Sequence, residues 1–135
     1  MTRRLALLSL LAASACASHE TSAPAAVSAG ASSADAPASP AAAFLARPPG
    51  ALVVDVRTPA EYASGHVAGA RNVDVNGGQF EAALDSVGRA TPVYLYCRTG
   101  RRSGAAAETL TRMGFRTVVN AGGFDDLAEA GARTE

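Results

Sequence analysis

The sequence contains no lysine: all twelve of its basic residues are arginine, and twelve carboxylates balance them. With no net field of either sign, charge gives no basis for a general nucleic-acid binder, nor for a protein drawn to acidic membrane surfaces. Cysteine is scarce. Cys16 and Cys97 are the two present, too few for a disulfide framework. They fall in segments of such different character that different roles are expected. No apolar run reaches the roughly 20 residues a helix needs to cross a bilayer about 30 Å thick. His, Cys, Asp and Glu form no cluster with metal-ligand spacing, so no metal is implied, and no organic cofactor either.

What is present first is an address. Met1–Arg4 is short and basic, Leu5–Ala13 is apolar, and small residues follow. That order is the signature of a secretory signal peptide, here residues 1–15. Ala13-Ser14-Ala15-Cys16 resembles the lipobox of bacterial lipoproteins, in which the cysteine becomes the lipidated N-terminus. Such boxes usually carry leucine where this one has Ala13, and an ordinary cut after Ala15 or Ala17 fits as well. Loss of Arg3 and Arg4 with the leader leaves ten arginines against twelve carboxylates, a balance of about −2. Residues 16–38 are nearly all Ala, Ser, Pro, Gly and Thr. They hold too little apolar surface to offset their ordering entropy and read as a tether. The expected location is the cell envelope or periplasm, with Cys16 as a lipid anchor and no other membrane contact.

Residues 39–135 are long enough for one modest core. Ser39 is placed to cap a helix over Pro40–Arg47, with Pro40 at its first position. Leu52–Val56 is apolar but for Asp55, as suits a strand covered on both faces. Thr58-Pro59-Ala60-Glu61 is a capping box. A short strand is expected over Asn72–Val75 and a helix over Gln79–Val87. A second clear strand is expected over Val93–Tyr96, a helix over Ser103–Met113 closed by Gly114 and Phe115, and a third strand over Thr117–Val119. Gly122-Gly123 reads as a turn before a last helix, Phe124–Ala130. The alternation predicts an α/β domain with a mainly parallel sheet and helices on both faces. Ligands of such sheets bind at the carboxyl ends of strands, which points to Arg57, Cys97 and Asn120.

The segment Val93–Gly104 carries the chemistry. A strand delivers Cys97 to its carboxyl end, and a loop leads into a helix. Arg98, Arg101 and Arg102 bracket Gly100. The thiolate is the reactive form of cysteine, and a helix N-terminus with nearby guanidiniums favours it. A tight loop can also aim successive amides inward as an anion cradle, and Gly100 permits the backbone angles this needs. A lone cysteine at a strand end is most often a small buried hydrophobe; its combination with an arginine loop and a helix points to a nucleophile.

Cys97–Ser103 (CRTGRRS) resembles the active-site loop of single-domain rhodaneses. Asp55–Val75 and Gly114–Leu127 are similar to the family's first signature and its C-terminal end, in the same order. The resemblance implies a sheet of about five strands, although no strand pattern precedes Pro40. It also implies a thiosulfate sulfurtransferase. Cys97 would take sulfane sulfur from a small anionic donor and pass it, as a persulfide, to cyanide or a thiol. Backbone amides over Arg98, Thr99, Gly100, Arg101, Arg102 and Ser103 would hold the persulfide, with the arginines orienting the donor. Asp55, Arg57 and His66 fall to structural support.

Three rivals share the fold or the cysteine. Cysteine phosphatases and arsenate reductases carry arginine six positions after the cysteine, where this chain has Ser103 and places Arg102 at five. Non-catalytic rhodanese-like binding modules usually lack the cysteine. A carrier passing persulfide sulfur to an exported partner shares the first half-reaction and differs in its acceptor.

Overall fold

The computed structural model describes residues 39–135. The expected leader, the tether and Cys16 lie outside the described residues. Nine elements alternate along the described residues: α1 (Pro40–Leu45), β1 (Leu52–Asp55), α2 (Pro59–Ala63), β2 (Arg71–Asn72), α3 (Phe80–Leu84), β3 (Val93–Cys97), α4 (Arg101–Arg112), β4 (Val118–Gly123) and α5 (Phe124–Glu129).

Among the described residues the sheet has four parallel strands in the order β2-β1-β3-β4. This is one strand fewer than the resemblance implies. The segment ahead of β1 is helix α1, seeded as expected by Ser39, whose hydroxyl accepts the Ala42 amide at 3.1 Å, and by Pro40 at the first position.

The continuous apolar runs of β1 and β3 have the predicted cause: helices cover both faces. Val54, Val56, Val93, Leu95 and Cys97 face Phe80 and Leu84 of α3 and Ala106 and Leu110 of α4. Val53, Tyr94 and Tyr96 face Phe44 of α1 and Leu127 of α5. Strand period two thus assigns alternate residues to two separate cores. Each fully buried Val or Leu there contributes about 1.5–3 kcal/mol before the ordering entropy is counted.

Caps fix the boundaries. Thr58 and Glu61 form the full capping box at α2. Gly114 takes φ 91° after α4, and the Phe115 amide reaches back to Leu110 O at 3.2 Å, closing a Schellman turn over a buried Phe115. Between Leu95 and Tyr96 the β3–β4 register slips, so that Leu95 pairs with Asn120 and Tyr96 with Gly122. This bulge leaves Ala121 over and carries β4 through Gly122-Gly123, which belong to the strand rather than to the expected turn.

Candidate active site

Cys97 ends β3 and is fully buried. Three residues on, Gly100 adopts φ 87° and caps α4, so the helix starts at Arg101 rather than at the expected Ser103. The left-handed turn folds the loop back over the sulfur, and the Gly100 amide donates to Cys97 Sγ at 3.1 Å. The Ser103 hydroxyl lies 3.6 Å from the same atom. Burial alone pushes the thiol up. The amides of Ser103, Thr99 and Gly100 and the Ser103 hydroxyl outweigh it, and the group is held below its ordinary value. A buried sulfur surrounded by donors is a site for an anion.

The loop rests on β4. A Cβ on Gly123 would meet Arg98 O at 2.8 Å, and one on Gly100 would meet Gly122 Cα at 3.3 Å. Gly123 on the strand and Gly100 on the loop therefore let the two approach. Asn120 ties the two together. Its Nδ2 donates to Gly100 O at 2.9 Å, and its Oδ1 accepts from Gly122 N at 3.1 Å and from Ser103 Oγ at 2.8 Å.

The arginines divide sharply. Arg57 is buried and forks onto Asp55, with Nε at 2.9 Å and Nη2 at 2.7 Å from Oδ2. Nη2 also donates to Gly65 O, and the guanidinium lies 4.4 Å from the Phe124 ring centre. Burial opposes the charge of Arg57, but Asp55 outweighs it and holds the guanidinium above its ordinary value. Arg102 forks onto Glu61 at 2.7 and 2.9 Å, joining α4 to the capping residue of α2. This partner holds the Glu61 carboxyl at about 2, against an ordinary 4.5. Arg98 and Arg101 are exposed, and among the described residues neither has an ion-pair partner. Arg98 lines a cleft of about 290 Å³ with Arg57, Glu61, Ser64, Phe124 and Asp125. Because Arg98 follows Cys97, and Phe124 follows the Gly123 that pairs with Cys97, the cleft opens at the sulfur's end of the sheet.

The family model of the rhodanese-like domain matches residues 40–130. The chain belongs to the rhodanese-like family. It is similar to the thiosulfate sulfurtransferase PspE of Escherichia coli, 40% identical over 75 residues, spanning 56% of this chain and 72% of the relative. To the thiosulfate sulfurtransferase GlpE of Pseudomonas fluorescens it is 42% identical over 81 residues, spanning 58% and 72%. The match to the Bacillus subtilis protein YqhL, 41% identical over 75 residues, spans 58% of that relative's length. Among solved structures, a rhodanese with anions from E. coli aligns with a TM-score of 0.54 at 34% identity, covering 62% of this chain and 95% of that one. A rhodanese-related protein from Thermoplasma volcanium aligns at 0.54 and 27% identity, covering 64% and 84%.

Within this rhodanese-like domain, Cys97, Gly100 and Ser103 converge on one atom, whereas His66 lies apart. The His66 ring stacks on Tyr62 at 3.7 Å, its Nδ1 is 3.1 Å from Tyr62 O, and its Nε2 is 3.4 Å from Glu135 Oε1. Its backbone exchanges hydrogen bonds with Glu135, holding the two segments together. Thr99 presents its side chain to solvent and its amide to the sulfur. Sequence reading singled out Asn120 only as a strand-end residue and missed its three bonds. The signal was present: a polar side chain amid the apolar Val118–Ala121. Among the described residues no three His, Cys, Asp or Glu side chains gather as metal ligands would.

Proposed function

We propose that this chain is a thiosulfate-type sulfurtransferase working through a persulfide on Cys97. The observation that carries the proposal is the Gly100 amide 3.1 Å from Cys97 Sγ, in a loop that lowers the thiol's affinity for its proton. The names of the E. coli and P. fluorescens relatives support it.

In the first half-reaction the Cys97 thiolate attacks the outer sulfur of thiosulfate. The new Sγ–S bond forms as the S–SO₃ bond breaks, and its electron pair leaves with sulfite. The negative charge now sits on the outer sulfur of Cys97–S–S⁻, within the donors of Thr99–Ser103. In the second, cyanide or a thiolate attacks that outer sulfur. Thiocyanate or an acceptor persulfide departs, and the Cys97 thiolate is restored. Splitting the transfer into two displacements needs no general base once the cysteine is ionised.

Purified protein loaded with thiosulfate and treated with cyanide is expected to release thiocyanate, with a gain of one sulfur on Cys97 by mass spectrometry between the two additions. Cys97→Ala is expected to release none. Loaded protein with no added sulfur would overturn the reading. If sulfur loads but moves only to a protein acceptor, the chain is instead a persulfide carrier.

We also propose export, with residues 1–15 removed and Cys16 as lipid anchor, on the basic–apolar–small residue order alone. The intact mass of the mature N-terminus tests this: an unmodified cut after Ala17 removes the anchor, and an uncut Met1 removes export as well.

A further inference from the structure

The Ser103 hydroxyl has one proton and three acceptors within reach: Asn120 Oδ1 at 2.8 Å, Gly100 O at 3.1 Å and Cys97 Sγ at 3.6 Å. Gly100 O already receives the Gly104 amide at 3.0 Å and Asn120 Nδ2 at 2.9 Å, which fill its two lone pairs. Asn120 cannot be turned over, because the Gly122 amide is an obligate donor and demands an oxygen facing it. The hydroxyl is thus left with two acceptors, a fixed carboxamide oxygen and the sulfur.

We propose that Asn120 is a positioning residue for the sulfur chemistry: its Oδ1 competes with Cys97 Sγ for the Ser103 proton, so that the hydroxyl follows the charge. When Cys97 is a thiolate, full charge on Sγ draws the hydroxyl, since a bond to an ion is roughly twice as strong as a neutral one. When the persulfide forms, that charge moves one bond outward to the terminal sulfur. Sγ becomes a neutral bridging atom and a weak acceptor, and the hydroxyl returns to Asn120. The swing needs rotation about one C–O bond in a side chain that is fully buried and already in place. It stabilises the attacking thiolate without stabilising Sγ in the persulfide, and Asn120 sets by how much. The chemical roles rest on the persulfide reading; the competition between Oδ1 and Sγ rests on geometry alone.

The test is a double-mutant cycle read by the pH midpoint of Cys97 alkylation with iodoacetamide. Ser103→Ala should raise the midpoint in every background, but by amounts ordered by what Asn120 offers. In the wild type the hydroxyl gives up one acceptor for the other, and the rise should be intermediate. With Asn120→Ala the competitor is gone, and the rise should be largest, about tenfold in the thiol's acidity. With the isosteric Asn120→Asp the carboxylate holds the proton, and the rise should be smallest. A residue that only braced the loop would act oppositely. Loosening by Asn120→Ala would move Ser103 away from the sulfur and shrink its effect. Equal rises in all three backgrounds, or the reverse order, would overturn the proposal. If Asn120→Ala does not fold, Asn120→Leu, which keeps the bulk and removes the competing oxygen, takes its place: a larger rise than in the wild type supports the proposal, and an equal or smaller one overturns it. Thiocyanate release by wild-type protein, run alongside, separates the two readings: without it the sulfurtransferase falls, whereas with it and no ordering only the role of Asn120 falls.

Discussion

Gly100 and Gly122 lie back to back, so that a Cβ on Gly100 would come 3.3 Å from Gly122 Cα. The contact joins the loop that wraps the sulfur to the strand that supports it. Gly100 also holds φ 87°, a conformation open to glycine and costly to other residues.

Gly100→Ala should therefore do two things at once. It should cost about 1–2 kcal/mol of stability from the backbone angle alone, and it should move the amide that donates to Cys97 Sγ. The alkylation midpoint of Cys97 should rise towards the ordinary thiol value of 9.0, because the anion loses a donor while its burial remains. Urea unfolding and an iodoacetamide pH series measure the two effects. A stability loss with an unmoved midpoint would show that this amide does not acidify the thiol.

The pair Asp55–Arg57 makes a different demand. Both side chains are buried, and Asp55 accepts the Arg57 side chain and its backbone amide. Asp55→Asn leaves a buried guanidinium without its counter-charge. The expected cost is about 3–5 kcal/mol, which in a domain of this size lowers Tm by well over 10 °C on the usual scale of about 4–8 °C per kcal/mol. Replacing both, as in Asp55→Leu with Arg57→Met, should cost less than the sum of the single changes, because no charge is stranded. Thermal melts of the three variants check this.

Glu61 gives the domain an acid limb. Its folded-state value is about 2 against an ordinary 4.5, held down chiefly by the Arg102 fork. A depressed carboxyl stabilises the fold above its unfolded value, and that contribution is lost as pH falls through 4.5 towards 2. The stability curve of the wild type should thus fall across this window, and Glu61→Gln should flatten the fall while leaving a weaker neutral link to Arg102. The pair is partly solvated, so the loss at neutral pH should stay near 1 kcal/mol or below. Urea midpoints at several pH values between 2.5 and 7 provide the measurement. A slope unchanged in Glu61→Gln would assign the acid limb to other carboxylates.

How far the sequence carried these points depends on whether their cause was local. The strands β1 and β3 were legible because burial on both faces leaves a continuous apolar run, and the caps at Ser39, Thr58–Glu61 and Gly114 because each is completed within a few residues. The sulfur loop was legible as a composition, Cys97 with Gly100 and its arginines. What was not legible is what each piece meets across the fold. Helix α4 begins at Arg101, two residues before the expected Ser103, because Gly100 supplies the turn. Gly122-Gly123 looked like a turn, since nothing local says that a loop over twenty residues earlier presses on them. Asn120 owes its role to the bulge at Ala121 and to partners in that same loop. The sheet stops at four strands among the described residues because the segment before β1 obeys its own helix signals.

The three loop arginines looked equivalent in sequence and are not equivalent in space. Arg102 pairs with Glu61 and its charge also reaches Cys97, whereas Arg98 lines the cleft and Arg101 opens α4, both facing solvent. A dianionic donor approaching the sulfur's end of the sheet meets Arg98 as a free charge. Arg98→Ala should therefore lower kcat/KM for thiosulfate by about two- to fivefold at low salt, the scale of one exposed charge pair. The deficit should shrink as added salt brings the screening length below about 10 Å. Arg102→Ala should instead lower stability, because it breaks a tie between α4 and α2, and should also raise the alkylation midpoint of Cys97, because it removes a positive charge that acts on the sulfur. Preloading the protein with sulfur isolates the second step: discharge by cyanide should respond less to Arg98→Ala than loading by thiosulfate does, since cyanide in water near neutral pH is mostly the uncharged acid. Stopped-time assays of each half-reaction at two salt concentrations would reveal the asymmetry. Equal deficits in both halves, insensitive to salt, would mean that Arg98 shapes the loop rather than attracting the donor.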